Sequence, residues 1–201
     1  MFQGAATVDS VLRGELIEKA VEAGLRSLFV GFETLNSTNL QAANKRHHPL
    51  RDYRAAIRRL SDLGVMINAS FVFAMDDDDT QDFQRAVDWA LEMGVISATF
   101  HILTPYPGTR LFERLKNEGR LLTENWSSYN TREVVFRPKN MSAEALKAGY
   151  DQAYRSFCQW GSIARSSMAR MDRPSHVFRQ FYYSAGWKKF EPLWSAAIKL
   201  K

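Results

Sequence analysis

Three stretches of the chain repeat one pattern: a helix-like approach, a glycine, then a short apolar run. They read EAGLRSLFVGFET, DLGVMINASFVFA and EMGVISATFHILT, with the glycines at Gly24, Gly64 and Gly94. Glycine just past a helix supplies the left-handed conformation that satisfies the last carbonyls. Short runs rich in Val, Ile and Phe predict strands. The segments before and between them read as helices. Val11, Leu12, Leu16, Ala20 and Ala23 share a face over 9–23, capped at Asp9; Leu50, Tyr53, Ile57, Leu60 and Leu63 do so over 50–63, after Pro49. Phe83, Val87, Ala90 and Leu91 align over 80–93, and a short extra helix fits near Ser37–Ala43. Strands alternating with helices of this length predict a parallel sheet with right-handed crossovers.

Side chains alternate between the two faces of a strand. Leu28, Val30 and Phe32 fall on one face with Ile67, Ala69, Phe71 and Phe73, and with Ala98, Phe100 and Ile102. The opposite face carries Ser27, Phe29, Gly31 and Glu33, then Met66, Asn68, Ser70 and Val72, then Ser97, Thr99, His101 and Leu103. A doubly wound sheet would be apolar on both faces. One uniformly apolar face and one salted with small polar groups predict part of a barrel with something polar inside.

The acidic run Asp76–Asp79 follows the second strand and precedes a helix, so it lies on the rim where ligand sites of such folds occur. A calcium loop needs spaced ligands and a distal glutamate, a pattern missing here. The run reads as a rim loop bordering a ligand, with Asp79 or Thr80 capping the next helix. TPYPGT, Thr104 to Thr109, reads by itself as a strand-to-helix turn. His47 and His48 are adjacent, diverge, and read as surface residues. His101 projects from the polar face of a strand, where a ligand contact competes with a satisfied interior histidine.

With 201 residues, 45% apolar and 24% charged, the composition is that of an ordinary folded domain with one sizeable core. The net charge of +5 is spread along the chain; Arg51, Arg54 and Arg58, with Arg59 beside them, read as a solvated helix face rather than a nucleic-acid patch. The single cysteine, Cys158, excludes an internal disulfide and, with no leader pattern at the start, points to a reducing, cytoplasmic setting. Residues 142–165 read as a helix begun by Ser142. In the aromatic, basic tail, Phe178, Phe181, Tyr182 and Ala185 suit one face, and Phe190, Leu193, Trp194, Ala197 and Ile198 another. Packing back onto the barrel fits this tail better than a membrane surface, since it is short and interrupted by Pro192.

Five segments together resemble the radical S-adenosylmethionine superfamily, in its cobalamin-associated branch. They are GFETLN (31–36), GVMINASFVFAMDDDD (64–79), FHILTPYPGT (100–109), GRLLTENWSSYNTREVVFRP (119–138) and MSAEALKAGYDQAYRSF (141–157). Their order and spacing match that family's back half over about residues 9–165, and TPYPGT followed by GR…NW…Y is the most specific part. The resemblance implies a partial (β/α) barrel, half of a TIM-like barrel: residues 1–138 hold the last three βα units, the family's fourth to sixth strands, plus a following strand. Residues 139–201 form a helical C-terminal extension.

It also implies S-adenosylmethionine across the carboxyl ends of the strands. Complete members carry cobalamin and a four-iron four-sulfur cluster on three cysteines of a CxxxCxxC loop, which cleaves the cofactor to a 5′-deoxyadenosyl radical. This sequence has no such loop, so no metal ligand or catalytic residue is assigned within it. By position, the resemblance puts Glu33 at the ribose or aminoacyl part of the cofactor, and Asn68 and Ser70 in the interior beneath it. Met75 would border the adenine, and His101, Thr104 and Tyr106 would face adenine or a small-molecule substrate. Ala74 stands where the family usually has glycine, and its methyl group would crowd the nucleoside.

Two functions follow as expectations. One is the C-terminal half of a radical S-adenosylmethionine enzyme, keeping part of the cofactor and substrate rim but inactive alone. The other is a non-catalytic half-barrel module that pairs with a chain supplying the missing strands. A third, binding of a phosphorylated ligand, lacks a glycine-rich phosphate loop.

Overall fold

A computed structural model of the protein describes residues 1–42, 49–169, 177–178, 181–186 and 188–189. Four parallel strands form one sheet in the order β1-β2-β3-β4: β1 Phe2–Thr7, β2 Leu25–Glu33, β3 Met66–Phe73 and β4 Ser97–Ile102. The crossovers carry α1 Val8–Leu12 and α2 Leu16–Glu22, then α3 Ser37–Ala42 and α4 Pro49–Asp62, then α5 Asp82–Glu92. After β4 come α6 Arg110–Asn117, α7 Ala143–Phe157 and α8 Trp160–Met168.

The helices stop where the glycines stand. Gly64 and Gly94 are left-handed, and the residues after them bond back five positions, Val65 N to the Leu60 carbonyl and Val95 N to the Ala90 carbonyl, both at 2.9 Å. This closes the helix and launches the next strand in one motif.

The apolar face of the sheet is the core. Phe32, Phe71 and Phe100 stack across three strands with ring centroids 5.9 and 5.8 Å apart. Trp89 from α5 and Tyr53 from α4 close on this ladder edge-to-face. The Tyr53 hydroxyl, though buried, donates to the Phe32 carbonyl at 2.5 Å. Each such ring removed from water contributes roughly 1.5–3 kcal/mol. α7 can approach α5 because Gly149 faces Phe83; a Cβ there would stand 2.2 Å from the ring.

Four features differ from the sequence reading. β1 adds a strand ahead of the three expected. The sequence FQGAAT carries little strand signal, and pairing with β2, from Phe2↔Leu25 to Thr7↔Gly31, makes it one. The helix expected over 9–23 is two, broken at left-handed Gly14 and capped by Thr7 rather than Asp9, with Leu16 and Ala23 exposed. The segment 119–138 makes a single antiparallel bridge, Leu121↔Phe136. The helix begun by Ser142 ends at Phe157, and α8 starts anew at Trp160.

In the tail, Phe178, Phe181 and Tyr182 are exposed, while Ser184 and Lys188 are buried. Lys188 Nζ lies 3.6 Å from the centroid of the Phe157 ring, and Lys189 Nζ donates to the Cys158 carbonyl at 2.7 Å. His47, His48, Phe190, Leu193, Trp194, Ala197 and Ile198 lie outside the described residues. No helix among the described residues is long and apolar enough to cross a membrane.

Candidate functional site

The second face of the sheet is the polar one. Strand register sets its residues in rows: Phe29, Asn68 and Ser97 across the middle, then Gly31, Ser70 and Thr99, then Val72 and His101. Glu33 stands at the carboxyl end of β2, where the register shifts. Its side chain folds back over Gly31: a Cβ on Gly31 would lie 2.3 Å from Glu33 Oε1. The pair GFE therefore works as a unit, the glycine leaving room for the carboxylate on the same face.

Among the described residues three non-glycine residues have left-handed backbones, and they gather at this end of the sheet: Glu33 (φ 65°), Ala74 (φ 75°) and Thr131 (φ 65°). Each costs of order 1 kcal/mol or more and persists where the surroundings demand it. Ala74 follows β3 directly and is buried. Its conformation is one for which glycine is the unstrained residue.

His101 is half-buried, with Nδ1 3.2 Å from the Thr131 hydroxyl. Burial, and secondarily the charge of Arg132, hold its pKa below the ordinary histidine value, which favours the neutral imidazole at neutral pH. Thr131 also receives the Ile102 N–H on its carbonyl, and the Tyr154 hydroxyl bridges the Phe100 N–H and carbonyl. The outer edge of β4 is thereby sealed by side-chain and loop groups.

The remaining candidates lie around this face. Ser70 is buried on it. Met75 opens the loop after β3, with its N–H on Asp78. Thr104 is buried and donates its hydroxyl back to the Ile102 carbonyl at 3.0 Å. Tyr106 is exposed, and its carbonyl accepts from Thr109, whose hydroxyl caps α6 by accepting from Phe112 N. The structure thus brings Glu33, Asn68, Ser70 and His101 onto one face, while Thr104 and Tyr106 belong to the turn beyond it.

The four aspartates have separate partners. Asp76 is ringed by Arg114, Arg120 and Lys139. Burial pulls its pKa up, but those three cations prevail and hold it below the ordinary carboxylate value. Asp77 is exposed; its N–H donates to Asn39 Oδ1 and its carbonyl accepts from Asn36. Asp78 is buried, accepting from Asn39 at 2.6 Å and from Met75 N at 2.9 Å. Burial and then the Asp82 charge push its pKa up to about 7. Asp79 accepts from Gln81 N and pairs with Arg85 at the start of α5. Among the described residues no three His, Cys, Asp or Glu side chains are grouped to hold a metal.

Three polar atoms on the polar face are buried without a hydrogen-bond partner: Asn68 Oδ1, Ser97 Oγ and Thr99 Oγ1. Such atoms are costly unless something pairs with them. Ser97 and Thr99 were legible on this face from alternation, but nothing in the sequence showed that their hydroxyls are unpartnered.

A family profile described as a domain of unknown function (DUF4070) matches residues 109–160. Among curated proteins, the chain is 30% identical over 151 residues to bacteriochlorophyllide d C-12(1)-methyltransferase of Chlorobaculum tepidum, covering 75% of this chain and 33% of that protein. It is 26% identical to the hopanoid C-2 methylase of Rhodopseudomonas palustris, covering 90% of this chain and 37% of that protein. It is 25% identical to the anaerobic magnesium-protoporphyrin IX monomethyl ester cyclase of Cereibacter sphaeroides, covering 71% and 23%. The chain spans about a third of the length of the first curated relatives it matches. Among solved structures, the fold matches TsrM of Kitasatospora setae, a radical S-adenosylmethionine methyltransferase with cobalamin and a [4Fe-4S] cluster bound. The TM-score is 0.53 at 13% identity, covering 92% of this chain and 44% of that one.

Proposed function

The chain is a relative of the radical S-adenosylmethionine methyltransferases and cyclases, and from that premise we propose that it is the C-terminal portion of such an enzyme. In this reading the polar face of the sheet is the cofactor and substrate side, and the chain generates no radical by itself. The observation that carries it is the group of unpartnered buried atoms on Asn68, Ser97 and Thr99, in two adjacent rows of the polar face, with Glu33 and His101 at its rim.

The fit to the cofactor is chemical. S-adenosylmethionine presents ribose hydroxyls, an ammonium, a carboxylate and a purine, and supplies a sulfonium-activated carbon when bound. Glu33 accepts hydrogen bonds from hydroxyls or the ammonium. Neutral His101 accepts or donates at its free ring nitrogen. Asn68 and Ser70 support the underside, and Met75 offers a soft apolar edge to the purine. The cluster does not fit this chain: its one cysteine, Cys158, caps the C-terminus of α7, away from the strand rim. No step through the cluster or cobalamin is assigned to residues here.

Calorimetric titration with S-adenosylhomocysteine tests the reading. Saturable binding is expected, weakened roughly tenfold in Glu33→Gln, the loss of about one charge-assisted hydrogen bond. Unchanged affinity in that variant would refute the site. After anaerobic iron–sulfur reconstitution the chain alone should release no 5′-deoxyadenosine; cluster-dependent release would overturn the assigned incompetence.

The second reading, a module that pairs with a chain supplying further strands, is favoured by β1. It ends the strand order with Gln3, Ala5 and Thr7 exposed, whereas the outer edge of β4 is sealed. An open strand edge recruits another strand.

A further inference from the structure

The middle of the polar face differs chemically from its rim. Of the residues whose register places them there, Ser97, Thr99, Asn68 and Ser70 are uncharged, and Phe29 and Met66 beside them are half-buried and apolar. None of the strand residues of this face is a lysine or arginine, the charge of Arg132 reaching it at His101, and its one carboxylate, Glu33, stands at the end of β2. Ser97 is 1% exposed, yet its hydroxyl has no partner; Asn68 Oδ1 and Thr99 Oγ1 share that condition. A carboxylate or phosphate moved onto this strip would lose its water without meeting a cation among the strip's own residues, Arg132 acting only at His101 on the rim, and would face the Glu33 charge. A carbonyl or hydroxyl on an apolar frame would pair with the unpartnered atoms and lay its frame on Phe29 and Met66.

We infer that Asn68, Ser97 and Thr99 form a neutral recognition strip selecting a substrate that is largely apolar and carries uncharged carbonyl or hydroxyl groups at the buried end. The inference rests on the polar face being the substrate side, as proposed above. The strip reads polarity: the two hydroxyls donate to a carbonyl, and Asn68 Oδ1 accepts from a hydroxyl. A site built to hydrogen-bond a group rejects analogues that leave its polar atoms unpaired.

A matched pair of fluorescent probes on the 201-residue chain tests this: 2-acetyl-6-hydroxynaphthalene, and 6-hydroxy-2-naphthoate, which replaces the ketone with a carboxylate. The ketone should bind saturably and the carboxylate at least about tenfold more weakly, the scale of one unpaired buried group. The double variant Ser97→Ala, Thr99→Val should lose at least about tenfold in ketone affinity.

The same variant provides a readout that a structural role would not give. Removing hydroxyls that pair only with ligand should raise the melting temperature of the ligand-free chain, by about 2–4 °C for each kcal/mol of relieved desolvation. Hydroxyls that held the fold together would lower it on removal. A lowered melting temperature, equal binding by the double variant, equal or tighter binding of the carboxylate, or no saturable ketone binding each overturns the inference. S-adenosylhomocysteine titration runs alongside. If it binds and the strip tests fail, the substrate inference falls alone; if it does not bind and the strip tests hold, the cofactor reading falls alone.

Discussion

Glu33 and Gly31 illustrate how one residue is set by another two positions away. Glu33 adopts φ 65° and bends its carboxylate over Gly31, in space that any side chain at 31 would fill. The atom a new methyl would strike is the far end of a flexible glutamate, so the glutamate moves and the strand does not. Gly31→Ala is therefore expected to leave thermal stability nearly unchanged, within about 1 kcal/mol. S-adenosylhomocysteine affinity should fall by roughly tenfold because the carboxylate is displaced. Parallel denaturation and titration check this, and a variant that unfolds while its folded fraction binds normally would contradict it. Ala74 presents the same problem without the glycine: a methyl group at φ 75° beside the nucleoside position that the resemblance implies. That buried backbone conformation is one a glycine adopts without strain.

Among the elements, the rim loop after β3 is held by Asp78. Its carboxylate joins α3, through Asn39, to the Met75 N–H at the end of β3, and so fixes two neighbouring βα loops relative to each other. Its pKa, near 7 in the fold, exceeds the unfolded value of about 3.9. A raised folded pKa stabilises below the unfolded value, and that contribution is lost as pH rises toward 7. The protein should lose stability between pH 5 and pH 7, by up to about 1.4 kcal/mol per pH unit for one proton. Asp78→Asn should remove this slope. The readout is the difference between the two proteins in urea denaturation across that range, which cancels the opposing contribution of His101, whose pKa is lowered. Parallel curves for wild type and variant would show that Asp78 does not titrate there.

At the scale of the whole molecule, one side of the sheet carries the aromatic core while the other carries the unpartnered polar atoms of Asn68, Ser97 and Thr99. The described tail adds to the core side: Lys188 is buried above the Phe157 ring. Burial, helped by the neighbouring Lys189 charge and opposed by Cys158, lowers the Lys188 pKa to about 8. A depressed lysine favours the fold at pH above its unfolded value of about 10.4, and that contribution is lost as pH falls toward 8. At neutral pH the ammonium therefore opposes docking. Lys188→Met keeps the packing and removes the charge, so residues 181–186 should exchange amide hydrogens more slowly at pH 7. Faster or unchanged exchange would show that the cation–π contact dominates instead.

Period-two alternation and glycine-stopped helices were decided by the sequence. Backbone geometry alone assigns Leu28, Phe71 and Phe100 to one face and Asn68, Ser70 and His101 to the other, so the polar and apolar sides of the sheet could be read residue by residue, whereas Glu33 reaches the polar face through a register shift and a left-handed backbone. Tertiary structure decided what depends on distant partners. FQGAAT becomes a strand because β2 offers an edge. Asp76 finds its cations 38 to 63 positions later, at Arg114, Arg120 and Lys139. Thr131 reaches β4 from a loop, and the hydroxyls of Ser97 and Thr99 remain unpartnered because no neighbouring element supplies a bond. Local pattern fixes which way a side chain points; only the packed chain determines what, if anything, it meets there.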